Sequence, residues 1–218
     1  LVPQLAGQRE SYFLAHSGFT QGEPLLSWPE LIQSHVDSIL QSHQGPIGIA
    51  AHSGGGWSAL CVIESIQDKD PDRKVALILL DVPAPAATIN DYSYPELFGV
   101  SSENLKQVLG TDSDDPNMNY MARDPYGWTG IGWYGSQLGG IIPRQLDIPV
   151  LLVKAKVHTP QINVVTIPEL ISDDFGWSRF YSNLTVVECD GNHYSMLMEP
   201  SVGDWAVKML EWLKKNLG

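Results

Sequence analysis

The chain has 218 residues and a mass of 24.0 kDa, enough for one domain of ordinary size that builds its core without disulfide or metal staples. Hydrophobic residues make up 43% and charged residues 17%, a balance that excludes a disordered chain. Thirteen Lys and Arg against 25 Asp and Glu leave a net charge of −12; so acidic a surface repels phosphate, and neither nucleic acid nor anionic membrane is an expected partner.

No apolar run approaches the roughly 20 residues of a membrane span. No signal peptide is expected, and the default reading is a cytoplasmic protein. Cys61 and Cys189 are too few for a secreted disulfide framework, and each sits in an apolar run, so both read as buried free thiols. The six histidines are scattered without His-x-x-x-His spacing, and no metal site is expected.

In chain order, Leu1–Gly7 reads as the end of a helix, which points to a fragment whose first strand and loop are missing. Short apolar runs bounded by Gly, Pro or Asp then predict strands over Ser11–Ala15, Ile47–Ala51, Val75–Leu80, Val150–Ala155 and Leu184–Glu188. Amphipathic stretches predict helices over Leu31–Gln41, Trp57–Gln67 and Asp204–Leu217. Apolar strands alternating with helices imply an α/β fold, a mostly parallel central sheet with helices on both faces. The rhythm breaks over about 83–145, which is rich in Pro, Gly, Asp, Tyr and Trp. A stretch that long without strand pattern reads as a helical lid inserted over a site.

The strongest chemical signal is Gly45-Pro46-Ile47-Gly48-Ile49-Ala50-Ala51-His52-Ser53-Gly54-Gly55-Gly56-Trp57, a strand, a sharp turn and a helix start. Ser53 occupies the apex, as a nucleophile elbow requires, with small residues at the crowded positions two before and two after it. A Gly-rich turn that only packs closely, or cradles phosphate, is the plainer alternative. A phosphate loop would place Lys and Ser or Thr after its last Gly, however, and Trp57-Ser58 stand there. A serine hydroxyl needs a base, and the base needs a carboxylate to hold its tautomer. In this type of fold the order is Ser, acid, His. Asp81 ends the run Val75–Leu80, where open α/β sheets place their sites. His193 lies in a polar turn after the last strand. Asp173 and Asp174 are weaker candidates for the acid. His16, His52 and His158 compete as histidines; His52 reads as a packing or hydrogen-bonding residue beside the turn.

With these residues in place, the chain resembles the thioesterase domains that end modular (type I) polyketide synthases, and their relatives in nonribosomal peptide synthetases, members of the α/β-hydrolase superfamily. Ser17–Leu25 resembles that family's Pro-Gly-aromatic segment leading to Gly-Glu-Pro-Leu. Ala50–Gly55 resembles its Gly-His-Ser-x-Gly, Leu79–Pro85 its strand-end Asp followed by prolines, and Asp190–Met196 its Gly-Asp-His-aromatic-Ser/Thr-Met. The match spans the chain except Asp91–Arg144. Ala51 departs from the elbow Gly and Ser17 from the Pro.

The resemblance implies an α/β-hydrolase fold and a serine thioesterase in which Ser53, Asp81 and His193 are catalytic. It implies that the Gly54 amide is one oxyanion-hole donor, the second lying on a loop ahead of Leu1. Trp128, Trp133 and Tyr134 are candidates for the apolar wall of a substrate chamber. No cofactor is implied; the acyl substrate arrives on the phosphopantetheine arm of an acyl carrier protein tethered in the same polypeptide. Hydrolysis and macrocyclisation are both open, as is a homodimer. The competing readings are a stand-alone serine esterase or lipase of the same fold and a non-catalytic binding module.

Overall fold

The computed structural model describes residues 9–19, 22–84, 142–157 and 172–218. Four strands, β1 (Ile47–His52), β2 (Val75–Leu80), β3 (Val150–Val157) and β4 (Leu184–Asn192), form a parallel sheet in the order β1-β2-β3-β4. Three helices accompany them: α1 (Trp28–Ser42), α2 (Gly55–Lys69) and α3 (Ser201–Leu217).

The sheet is a middle layer. All six residues of β2 are buried, and the period of two divides them between two cores. Val75, Leu77 and Leu79 join Val150 and Leu152 of β3 under α1 and α2, with Val36, Leu60, Ile63 and Ile66 from the helices. Ala76, Ile78 and Leu80 join Leu151, Val153 and Ala155 against Trp205, Met209, Leu213 and Leu217 of α3. A strand covered on both faces is apolar throughout, which is why β2 and β3 are readable as unbroken runs.

Local chemistry sets the helix ends. Ser27 caps α1: its N–H donates to Glu30 at 2.9 Å, the reciprocal half of a capping box, and Pro29 falls in the first turn where no N–H is needed. Gly48 of β1 lets α3 approach, since a Cβ there would lie 2.8 Å from Leu213 Cδ2.

The strand expected over Ser11–Ala15 does not form. This segment is irregular, with Tyr12 and Phe13 64% and 88% exposed. Its apolar side chains find neither a pairing strand nor a core among the described residues, and β-propensity without a surface to fit has little force. The other four predicted strands are present, β4 running on to Asn192 where a bulge in β3 between Ala155 and Val157 keeps the two paired. Both cysteines are free, but only Cys189 is buried; Cys61 is half-buried against the α1–α2 core. The helix end at Leu1–Gly7, Trp128, Trp133, Tyr134 and His158 lie outside the described residues, as does most of the expected lid.

His35 of α1 is buried, its Nε2 finds no hydrogen-bond partner among the described residues, and its ring packs 5.2 Å from that of His16. Burial, reinforced by His35, pushes His16 down to about 4, and burial lowers His35. The folded state therefore binds fewer protons than the unfolded chain, whose histidines titrate near 6.5. Stability from this contact is full above about pH 6.5 and is lost as the pH falls towards 4. Thermal melts should show Tm falling across that window, and His35→Leu should flatten part of the fall. An unchanged slope in that variant would assign the acid sensitivity elsewhere.

Candidate active site

β1 ends at His52 and α2 begins at Gly55, so the chain reverses direction within Ser53 and Gly54. Ser53 takes φ +55°, a left-handed conformation that costs a non-glycine on the order of 1 kcal/mol or more and persists only when its flanks are fixed. They are: the Ser53 N–H donates to Leu80 O at 3.2 Å, and the Ser53 carbonyl accepts from the Gly56 N–H at 2.9 Å. The hydroxyl is thereby presented at the N-terminal end of α2. The Gly54 N–H has no backbone acceptor among the described residues, as befits an orphan donor at a helix start.

The glycine demanded by packing is Gly56. A Cβ there would lie 2.6 Å from both Val82 methyls, whereas a Cβ on Gly54 meets nothing within 4 Å and one on Gly55 lies 3.8 Å from Ala51 Cβ. Ala51 therefore fits where the family motif has Gly: the two positions flanking the turn are in ordinary contact, and the close approach is between α2 and the segment after Asp81.

Asp81 follows β2 and also has a positive φ, +53°. Its N–H donates to Val153 O at 2.8 Å, and its Oδ1 accepts the Ala155 N–H at 2.9 Å, so main chain and side chain are both tied to β3. Its Oδ2 meets His193 Nδ1 at 2.8 Å. A carboxylate only accepts, so Nδ1 carries the proton and Nε2 keeps its lone pair, the tautomer a general base needs.

His193 is held by its loop as well as by Asp81. Gly191 takes φ +97°; Asn192 Oδ1 accepts the Tyr194 and Ser195 N–H groups, both at 3.0 Å, and Ser195 Oγ accepts the Asn192 N–H at 2.8 Å. His52 Nε2 donates to the His193 carbonyl at 2.8 Å, and the two rings lie 4.4 Å apart. Burial, and secondarily His193, push His52 down to about 4, so it is neutral at physiological pH. The sequence-based role of His52 as a hydrogen-bonding neighbour of the turn matches this geometry.

The structure thus joins Asp81 and His193 directly and sets Ser53 on the neighbouring turn. Among the described residues no hydrogen bond links Ser53 Oγ to His193; such contacts often tighten only with substrate in place. The rival acid is engaged elsewhere. Burial alone would raise the Asp174 carboxyl, but hydrogen bonds from Ser178, Gly176 and Ser172 outweigh it and bring it to about 2. It caps the turn carrying Trp177. His16 packs against Phe19 and His35. Two indoles that sequence reasoning passed over fix the segment after Asp81: Trp177 Nε1 donates to Val82 O at 2.7 Å and Trp57 Nε1 to Pro83 O at 3.2 Å. Their distance in sequence from Asp81 left no signal to find them by. No group of three metal-ligating side chains occurs among the described residues.

Neither a protein-family model nor a curated protein sequence matches the chain. Solved structures do. The Vlm2 thioesterase domain bound with a dodecadepsipeptide is 23% identical, with a TM-score of 0.62 over 93% of this chain and 80% of that one. The NocB thioesterase domain from the nocardicin cluster, in covalent complex with a fluorophosphonate nocardicin G analogue, is 18% identical, with a TM-score of 0.62 over 90% and 79%. A four-domain nonribosomal peptide synthetase is 18% identical, with a TM-score of 0.58 over 89% of this chain and 16% of that one. The chain has the α/β-hydrolase fold of these thioesterase domains. At these identities the likeness is one of architecture, to which the parallel order β1 to β4 belongs.

The Gly56 contact yields a clean comparison. Gly56→Ala should destabilise the fold by about 1–3 kcal/mol, the usual effect of overpacking, because Val82 must move. Gly55→Ala, with room for the methyl and a better helix former, should fall within about 1 kcal/mol of wild type. Urea denaturation of both variants measures this; equal losses would remove the Val82 contact as the constraint.

Proposed function

We propose that this domain is a serine thioesterase that releases a polyketide or peptide acyl chain from a carrier protein through an acyl-Ser53 intermediate. The observation that carries the reading is the 2.8 Å bond from His193 Nδ1 to Asp81, beside a serine held at positive φ on a strand-to-helix turn. Ser53 Oγ attacks the thioester carbonyl while His193 Nε2 takes its proton, and Asp81 stabilises the imidazolium. Negative charge develops on the carbonyl oxygen, where the Gly54 N–H is one donor. The tetrahedral adduct collapses, the carrier thiol leaves with the proton from His193, and an ester on Ser53 remains. Water, activated by the same imidazole, gives a free acid; a hydroxyl or amine of the acyl chain gives a ring.

The solved neighbours support the acyl class. One is bound with a dodecadepsipeptide and another is in covalent complex with a fluorophosphonate nocardicin G analogue, and the first of these favours a depsipeptidyl chain. The synthetase neighbour carries the matching fold within 16% of a four-domain chain. The net charge of −12 fits that arrangement: carrier proteins are commonly acidic, so electrostatic steering does not favour encounter, whereas tethering supplies the local concentration.

A fluorophosphonate should label Ser53, and acyl-N-acetylcysteamine thioesters should turn over faster than the matching oxygen esters. Ser53→Ala should abolish labelling and lower kcat by about four to six orders of magnitude. A preference for oxygen esters would favour an ordinary esterase, and an unlabelled, inert wild-type protein would favour a binding module.

A further inference from the structure

β1 and β4 are the two outer strands of the four, three strand spacings or about 14 Å apart. Yet the residue before Ser53 touches the residue that follows β4. His52 Nε2 donates to the His193 carbonyl at 2.8 Å, and the two imidazoles lie 4.4 Å apart with 33° between their planes. The loop after β4 therefore folds back across the strand ends and rests on the strand that leads into the nucleophile turn.

We propose that His52 is a positioning residue that fixes the orientation of the His193 imidazole by holding its main-chain carbonyl and one face of its ring. Asp81 restrains the His193 ring at one point, Nδ1, and the Tyr194 ring meets it edge-on at 5.2 Å. The Asn192 and Ser195 bonds hold the loop but touch neither the carbonyl nor the ring of residue 193. His52 adds both restraints from the rigid end of a strand, and rigid elements give the most precise sites.

A carbonyl only accepts, so the His52 proton is committed to Nε2. Nδ1 is then the unprotonated nitrogen, and the role assigned to His52 is to hold His193 rather than to take the Ser53 proton. Its burial beside His193 keeps it uncharged, so it places no second cation against the imidazolium formed during acylation. His52 couples the two halves of the site mechanically: the backbone that carries the nucleophile also carries the support of the base. The reading rests on the triad assignment of the proposed function, but the geometric part is measurable without turnover.

Two substitutions separate donor from bulk. His52→Phe keeps a ring and removes the donor; His52→Gln removes the ring and keeps an N–H donor. The phenylalanine variant should show a roughly 10- to 100-fold lower kcat with KM little changed, a matching drop in the rate of fluorophosphonate labelling, and broadening of the low-field proton resonance of the His193–Asp81 bond, the scale seen when groups that orient a functional histidine are lost. The glutamine variant should recover most of the rate and sharpen that resonance. Wild-type kcat and resonance in His52→Phe, or equal impairment in both variants, would overturn the proposal. If His52→Phe does not fold, the resonance in His52→Gln decides, its presence supporting the proposal and its absence rejecting it. Ser53→Ala retaining activity would instead refute the triad assignment while leaving the resonance measurement standing.

Discussion

The Asp81 carboxylate is the point on which the site turns. One oxygen is held by the Ala155 N–H of β3 and the other holds His193, so the candidate base is tied through a single side chain to the centre of the sheet. A carboxylate with one oxygen engaged by backbone has little freedom to rotate, and its remaining lone pairs are fixed in direction. The imidazole that meets them is fixed in tautomer as well. Were Asp81 held only by its own backbone, the 2.8 Å contact to His193 would have to order two side chains at once, with the entropy of both against it.

Among the described residues, backbone strain is concentrated in and beside the candidate site. Among the described residues three non-glycines have positive φ: Ser53, Asp81 and Phe175. The first two carry the candidate nucleophile and acid. The third lies in the Asp174-capped turn that presents the Phe175 carbonyl to the Ala84 N–H and the Trp177 indole to Val82, immediately after Asp81. Each strained residue is over-determined by hydrogen bonds to another element. Buried Lys154 adds to this by donating to Ser172 O at the start of the turn. The strain of the site is therefore held by the same contacts that dock the 172–177 segment on the strand ends.

What the sequence revealed followed from its physics. Continuous apolar runs are the signature of strands buried on both faces, so β2 and β3 were legible and β2 to its exact ends. The Ser11–Ala15 run is also largely apolar but has no pairing strand among the described residues, and apolarity alone does not distinguish the two cases. The strand-end positions of Ser53, Asp81 and His193 were legible because triad chemistry constrains type, order and place, and the structure brings Asp81 and His193 together. The long-range supports were not. The indoles of Trp57 and Trp177, and the approach of Gly56 to Val82, depend on how helices and turns stack on the sheet, which no local pattern encodes. His52 was visible as a neighbour of Ser53, but its partner is 141 positions away.

Core packing also acts as the ruler that spaces the site. The pairing places Leu80 opposite both His52 and Val153, so the residues leaving β1 and β2 emerge at the same level above the sheet, with Ala155 of β3 rising beside Asp81. A slip of β2 by one residue would move Asp81 about 3.3 Å along the strand, more than the whole length of the bond to His193. It would also exchange the face carrying Leu77 and Leu79 with the face carrying Ala76, Ile78 and Leu80, setting leucines from the α1–α2 core against Trp205 and Met209 of α3. Both faces are buried, so the slip is penalised on both, and small and large side chains would meet the wrong partners at native packing density. The hydrophobic term that makes the domain fold is therefore the term that fixes where the carboxylate stands. The hydrogen bonds of the site, each modest in net free energy, need only choose among rotamers within a frame the two cores have already set.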